Sequence, residues 1–300
     1  MPSQTGAMNP FDRVVLIYNP HSTGNAPQLA TKLRDDLAGR LPELSVTLCP
    51  TEHPGHARDL AQEAATAGRP LVVSVSGDGG YTEPVDGLMR AGNYDAVAAV
   101  MAAGNANDHR RTTGDKDLVD AIVAGDVHRI DLLKLSIGTG PDATVEYAHS
   151  YIGLGLTPVV AIDLEKGGKG SFTEIVSVVR TFSKFRPFPI KLEDGSRKRF
   201  DSLVFANINQ MAKYATLSES GEPDDGKFEV ITVAHTAKWR VLAVAIKAAT
   251  TGLGPQPSTT HYQFTPIKPT PLQLDGELRT LNPGVTVSID IAPQALATIT

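Results

Sequence analysis

The stretch SGDGGYTE, Ser76 to Glu83, places three glycines and a carboxylate directly after an apolar run, LVVSV. Without Cβ atoms, Gly77, Gly79 and Gly80 let the backbone turn sharply and approach a ligand closely. Their N–H groups, ahead of a helix, suit a phosphate. Asp78 suits a water-bridged cation or a hydroxyl. The same residues also suit a plain strand-to-helix turn with a solvated aspartate. A second stretch, AAGNANDHRR, repeats the pattern. Gly104 permits a turn, Asn105 and Asn107 offer amides, Asp108 is a second carboxylate, and Arg110 and Arg111 can neutralise phosphate charge. Its plainer reading is a helix cap at Asn107 or Asp108 followed by solvated arginines. A third loop, NPHSTG, Asn19 to Gly24, follows the apolar run RVVLIY. Three such loops carry more weight together than any one alone. The chain has no GxxxxGK[ST] run, no dinucleotide-type GxGxxG with a later acidic partner, and no protein-kinase HRD or DFG signature.

The elements that must position these loops follow from periodicity. RVVLIYNP, LSVTLCP, LVVSVS and YDAVAAVMAAG read as strands. QLATKLRDDLAGRL, HARDLAQEAATAG and DLVDAIVAG read as helices, with Leu29, Leu33 and Leu37 at helical spacing. A further helix is expected from Glu83, with Pro84 in its first turn. Strands alternating with helices imply a mostly parallel sheet covered on both faces, which binds ligands beyond the carboxyl ends of its strands. From about Ile130 the pattern changes to short strands: DLLKLSIG, TVEYAHSYIGLG, PIKLEDG, KRFDSLVFANIN, KFEVITVA, HYQFTPIK, LQLDGELR and VTVSIDIA. These suggest a largely antiparallel β domain interrupted by one helix around SFTEIVSVVRTFSKF. The boundary is expected near Leu133 to Gly138.

Bulk properties exclude several classes. The 300 residues carry a formal net charge of -5 and a pI near 5.9, unlike a general nucleic-acid binder. The single cysteine, Cys49, can form neither an internal disulfide nor a zinc cluster, and fits a reducing compartment. MPSQTGAMNPFDR lacks the apolar core of a secretory signal and is expected to be a loose tail. No run reaches the roughly 18 apolar residues of a membrane span. The expected location is the cytoplasm, with peripheral attachment to the inner membrane face left open. Lys166 to Arg199 holds nine basic residues against three acidic ones. Phe172, Ile175, Val176, Val179, Phe182 and Phe185 fall near one helical face there. That segment reads either as a helix for an anionic lipid surface or as a core helix with a solvated basic side.

The order NPHSTG, SGDGGYTE, GNANDHRR, then LDGEL (Leu274 to Leu278) resembles the diacylglycerol kinase catalytic family, including bacterial lipid kinases. Sphingosine kinases share this order, and NAD kinases are more distant relatives. TEHPGHARDLA, FANINQMAKY and PDDGKFEV extend the resemblance from about Val14 to the C-terminus. The resemblance implies an α/β nucleotide-binding domain over residues 11–135 and a C-terminal, mostly antiparallel β-sandwich domain over 136–283 that takes the lipid. Residues 284–300 are expected to return to the first domain. It implies ATP as phosphate donor, held by Asn19, Thr51, Gly77, Asp78, Gly79, Gly80, Thr82, Glu83, Gly104, Asn105 and Asp108. It implies a Mg2+ and water network around Asp78, Asp108 and Asp131, with Asp225 at a structural magnesium. It makes Glu277 the general base. By the residues alone Glu277 is equally a hairpin carboxylate after Asp-Gly. The implied partner is a lipid at a membrane surface, with a homodimer left open. Two alternatives stay open: a kinase of a soluble substrate, and a nucleotide or lipid sensor with little catalysis. This sequence departs from the family's GGDGT, since Ser76 replaces its first glycine and Gly80 its threonine. Thr82 replaces the asparagine of the usual Asn-Glu pair, Asn105 the threonine of GTxND, and His109 the usual aromatic.

Overall fold

A computed structural model of the chain describes residues 9–22, 24–103, 117–155, 187–208, 210–211, 215–216, 222–235 and 254–299. The loop bearing Gly104, Asn105 and Asp108, and the expected basic helix around 171–186, lie outside the described residues. The chain divides into two compact units, Met1–Ile130 with Ala295–Thr300, and Asp131–Gln294.

The first unit alternates strand and helix as the periodicity requires. Its elements are β1 (Arg13–Tyr18), α1 (Ala26–Arg40), β2 (Ser45–Pro50), α2 (His56–Ala64), β3 (Pro70–Ser76), α3 (Asp78–Ala91), β4 (Val97–Ala102) and α4 (Leu118–Ala124). The strands are all parallel, in the order β2-β1-β3-β4. β3 is buried along nearly its whole length, as a strand covered on both faces must be. α1 buries Ala26, Ala30, Leu33 and Leu37, one stripe at helical spacing, and Leu33 and Leu37 pack into a core with Val14, Leu16, Leu71 and Val73. Ala297–Ile299 add a parallel strand beside Val97–Ala99, and Thr298 Oγ1 donates to Ala98 O at 3.1 Å.

One expectation is corrected here. α3 starts at Asp78, so Gly79 to Glu83 are helical and Pro84 lies inside the helix. Proline removes the N–H that would bond to the carbonyl four residues back, which is that of Gly80. Ser74 Oγ donates to Gly80 O at 3.2 Å instead. The carbonyl that Pro84 orphans is therefore satisfied from β3, and the helix runs on through the proline.

The second unit is built from strands: all but the first residues of β5 (Val127–Ile137), then β6 (Thr144–Ala148), β7 (Tyr151–Gly155), β8 (Phe188–Leu192), β9 (Arg197–Ala206), β10 (Gln210–Met211), β11 (Ala215–Thr216), β12 (Phe228–Ala234), β13 (Ser258–Thr259), β14 (His261–Pro266), β15 (Thr270–Leu274), β16 (Glu277–Leu281) and the start of β17 (Val287–Ile299). Their order runs β16-β15-β7-β9-β8-β14-β17, with β12 also on β9, and β6 on β5. The pairings β5–β6, β7–β9, β15–β16 and β14–β17 are antiparallel. Leu133, Leu135, Ile152, Leu154, Phe205, Phe228, Leu272 and Leu274 belong to its core. The fold is thus an α/β unit with a parallel sheet and a mostly antiparallel β unit.

Candidate active site

In the first unit, β1 lies between β2 and β3, so the chain winds outward to β2 and then returns past β1 to β3. Doubly wound sheets bind ligands at such a reversal, beyond the carboxyl ends of the strands, here β1 and β3. Tyr18 stands opposite Val75 and Pro50, which brings Asn19, Thr51 and Ser76–Gly77 to one sheet edge. Asn19 shapes its own turn, its Oδ1 accepting from His21 N at 2.8 Å. Thr51 N donates to Tyr18 O at 2.9 Å. A Cβ on Gly24 would lie 1.8 Å from Ala103 O, so only glycine lets the β1 loop meet the end of β4. Ser22 Oγ is buried without a hydrogen-bond partner among the described residues. An orphaned hydroxyl beside a glycine-made cradle fits a polar ligand that brings its own acceptors.

Above this edge stands the N-terminus of α3. Tyr81 N makes the first intrahelical bond, to Gly77 O at 3.1 Å. The N–H groups of Asp78, Gly79 and Gly80 precede it and have no acceptor within the helix, as donors at helix starts that suit phosphates. Gly80 packs on the strand end: a Cβ there would lie 2.7 Å from Ser76 Cβ. Ser76 Oγ in turn meets Ser74 Oγ at 2.7 Å. Thr82 is buried, and Glu83 accepts from Gly55 N at 3.0 Å, tying the β2–α2 loop to α3. Further along, Asp86 is buried between Arg58 at 2.6 Å and Arg90 at 2.9 Å. Gly87 allows α2 and α3 to touch, since a Cβ there would lie 2.2 Å from Arg58 O.

In the second unit, the Asp275–Gly276 hairpin joins β15 to β16 with both residues at positive φ, 46° and 100°. That is the geometry an Asp-Gly pair favours in a two-residue turn. Asp275 is 1 % exposed. It accepts from His149 N at 2.7 Å, Ser150 N at 3.0 Å and Tyr151 N at 2.8 Å, while its own N–H donates to Tyr151 O at 3.1 Å. This lattice fixes where β16 begins, and Glu277 is its first residue. Glu277 meets Arg279 at 2.7 Å, and Arg279 also meets Glu146 at 3.2 Å. Asp131 is fully buried. Its Oδ1 accepts from Gln294 N at 2.6 Å and its Oδ2 from Gly226 N at 2.7 Å, and Asn207 Nδ2 donates to its carbonyl at 2.8 Å. Asp131 therefore clamps the Pro223–Lys227 turn. Asp225 is exposed, with its Oδ1 on Lys227 N at 2.9 Å. Among the described residues no three metal-capable side chains cluster.

Asn19, Thr51 and Gly77 to Gly80 are thus gathered at one edge, whereas Thr82 and Glu83 face neighbouring elements. Sequence reasoning passed over Asp275 as a lattice point, although Asp-Gly signals the turn that buries it. It also passed over Arg279 and Glu146, which meet through their side chains although 133 residues apart in sequence.

Residues 13–135 match the model of the diacylglycerol kinase catalytic domain. A protein described as a probable lipid kinase YegS-like, from Pseudomonas aeruginosa, is 35% identical over 103 residues. That stretch is 34% of this chain and only 32% of the relative's length. A second strain of the species carries a relative at the same identity over the same length. Among solved structures, a putative diacylglycerol kinase from Bacillus anthracis str. Sterne superposes with a TM-score of 0.73 at 20% identity, over 96% of this chain and 97% of that one. Yeast NADH kinase, in complex with NADH, superposes with a TM-score of 0.52 at 11% identity, over 98% and 84%. At such identities these two likenesses establish shared fold.

Proposed function

We propose that this chain, whose residues 13–135 belong to the diacylglycerol kinase catalytic domain family, is an ATP-dependent kinase of a lipid hydroxyl, with diacylglycerol or a related lipid as acceptor. The observation that carries this reading is the strand reversal between β1 and β3, beyond which α3 begins with the N–H groups of Asp78, Gly79 and Gly80. Phosphoryl transfer needs positioning and charge stabilisation more than covalent chemistry from the protein. The α3 N-terminus serves the nucleotide's phosphates, and Ser22 Oγ, Asn19 and Thr51 line the approach. Glu83, bonded to Gly55, holds the β2–α2 loop in place. Gly104, Asn105 and Asp108 keep the nucleotide contacts implied by the resemblance. A bound magnesium would neutralise charge on the transferring phosphoryl group. Glu277 takes the proton of the acceptor hydroxyl, a role that asks for a carboxylate at a fixed place.

The experiment is transfer of labelled γ-phosphate from ATP to a panel of acceptors: diacylglycerol, monoacylglycerol and sphingosine in mixed micelles, and NAD in solution. Lipid labelling supports the reading. Labelling of NAD alone would move the chain to a soluble-substrate kinase. ATP binding without labelling of any acceptor would make it a sensor.

A further inference from the structure

The guanidinium of Arg279 is held on three sides. Its Nη2 donates to Glu277 Oε2 at 2.7 Å. Nη2 and Nε donate to Glu146 Oε2 at 3.2 and 3.3 Å, and Nη1 donates to Leu278 O at 3.1 Å. Register explains the encounter. Glu277 pairs with Leu274 and Arg279 with Leu272, so both charges lie on the face of the β15–β16 hairpin that carries core leucines. Glu146 pairs with core Leu135 on β5 and lies on the inward face of β6. Among the described residues β6 pairs only with β5, and β16 only with β15. The ion pairs thus join two open strand edges by side chains instead of a backbone ladder.

Three charges on apolar faces are costly unless they satisfy one another. The side chains of Glu146, Glu277 and Arg279 are only 15%, 25% and 32% exposed. Burial pulls the Arg279 guanidinium down, but its bonds and charges with Glu277 and Glu146 outweigh this and hold it above its ordinary value. A planar fork can fix two carboxylates at once, which a lysine ammonium cannot. The other charged neighbour in sequence, Asp275, is turned away onto the amides of His149, Ser150 and Tyr151. Opposite Glu277, β15 presents Leu274, which carries no charge.

We propose that Arg279, anchored by Glu146, is the positioning residue of Glu277: it pins Oε2 and leaves Oε1 to receive the proton of the acceptor hydroxyl. This rests on the reading of Glu277 as the base. It goes beyond that reading by assigning the base a fixed orientation and an electrostatic partner shared with a second carboxylate. Arg279→Gln removes the fork that holds Oε2, so Glu277 loses its fixed place at the start of β16. Arg279→Lys keeps the positive charge but not the planar fork.

The test combines two readouts on the full chain. Carboxyl 13C NMR at one neutral pH follows the surroundings of Glu277, its signal assigned by loss in Glu277→Gln. Lipid phosphorylation gives kcat and KM. In Arg279→Gln the Glu277 signal is expected to move and kcat to fall roughly 10- to 100-fold, as for a misplaced catalytic group, with KM for ATP unchanged and partial recovery of kcat in Arg279→Lys. An unmoved Glu277 signal overturns the positioning role whether or not lipid is phosphorylated. A moved signal in a protein that labels no lipid, or Glu277→Gln working at the wild-type rate, overturns the base reading and Arg279's catalytic role with it. Should Arg279→Gln fail to fold, Arg279→Lys, which loses only the planar fork, decides the question by the same signal.

Discussion

Ser76 and Gly80 look like two separate losses from the family's GGDGT motif, but their packing makes them one exchange. A Cβ on Gly80 would stand 2.7 Å from Ser76 Cβ and 2.9 Å from Ser76 Oγ, where ordinary contact is 3.4–4 Å. A glycine at position 76 would leave room for a side chain at 80; a serine takes it. The perturbation is Gly80→Ala alone, Ser76→Gly alone, and both together. Alanine in place of glycine favours a helix by about 1 kcal/mol. Overpacking against Ser76 costs about 1–3 kcal/mol, so Gly80→Ala alone loses up to roughly 2 kcal/mol. Ser76→Gly alone forfeits the Ser74–Ser76 hydrogen bond, about 1 kcal/mol, and adds a strand glycine at about 0.5–1 kcal/mol. In the double variant the overlap is gone, and Gly80→Ala recovers its helix gain. Urea unfolding followed by circular dichroism should then give a favourable coupling of about 1–3 kcal/mol between the two sites. Additive effects within about 0.5 kcal/mol, or a Gly80→Ala variant as stable as wild type, would refute the exchange.

Other outcomes follow from buried polar groups. Asp275→Ala strands the buried amides of His149, Ser150 and Tyr151 and should cost about 3 kcal/mol or more, read as a lowered urea midpoint. An unchanged midpoint would show that the lattice does not hold the hairpin. Burial pushes the Glu229 carboxyl above its ordinary 4.5, with its own main-chain hydrogen bond opposing and Asp225 adding to the rise. A raised carboxyl supplies stability that is present below its unfolded value and lost as pH rises through the folded one. Glu229→Gln should therefore be more stabilising, relative to wild type, at pH 7 than at pH 4, and the reverse ordering of midpoints would contradict it. Burial, with Glu63 nearby, pushes the Cys49 thiol up. Iodoacetamide at neutral pH should label Cys49 more slowly in the native protein than in urea, and equal rates would exclude that environment.

The sheet was legible because its signals are local. Apolar runs ended by Asn-Pro or glycine, and leucines at helical spacing, mark β1, α1 and β3 without reference to anything distant. The start of α3 was not legible. Pro84 argues for a boundary, and what cancels it is a serine hydroxyl from the preceding strand, a partner that periodicity does not reveal. The hairpin that carries Glu277 was legible through Asp-Gly. Its companions were not, because Glu146 and Arg279 meet only once β5–β6 and β15–β16 are folded. The clamp made by Asp131 was not legible either, because its oxygens accept from the main chain of Gly226 and Gln294, 95 and 163 residues away in sequence.

Lipid phosphorylation with Glu277 as base is tested most directly by one comparison. Wild type and Glu277→Gln are assayed side by side for transfer of labelled γ-phosphate from ATP to diacylglycerol in mixed micelles, with equal urea midpoints confirming equal folding. The expected result is transfer by wild type and a loss of about 100-fold or more in the variant, the scale of a lost general base. Equal transfer by both proteins, or none by wild type to any lipid hydroxyl, would contradict it.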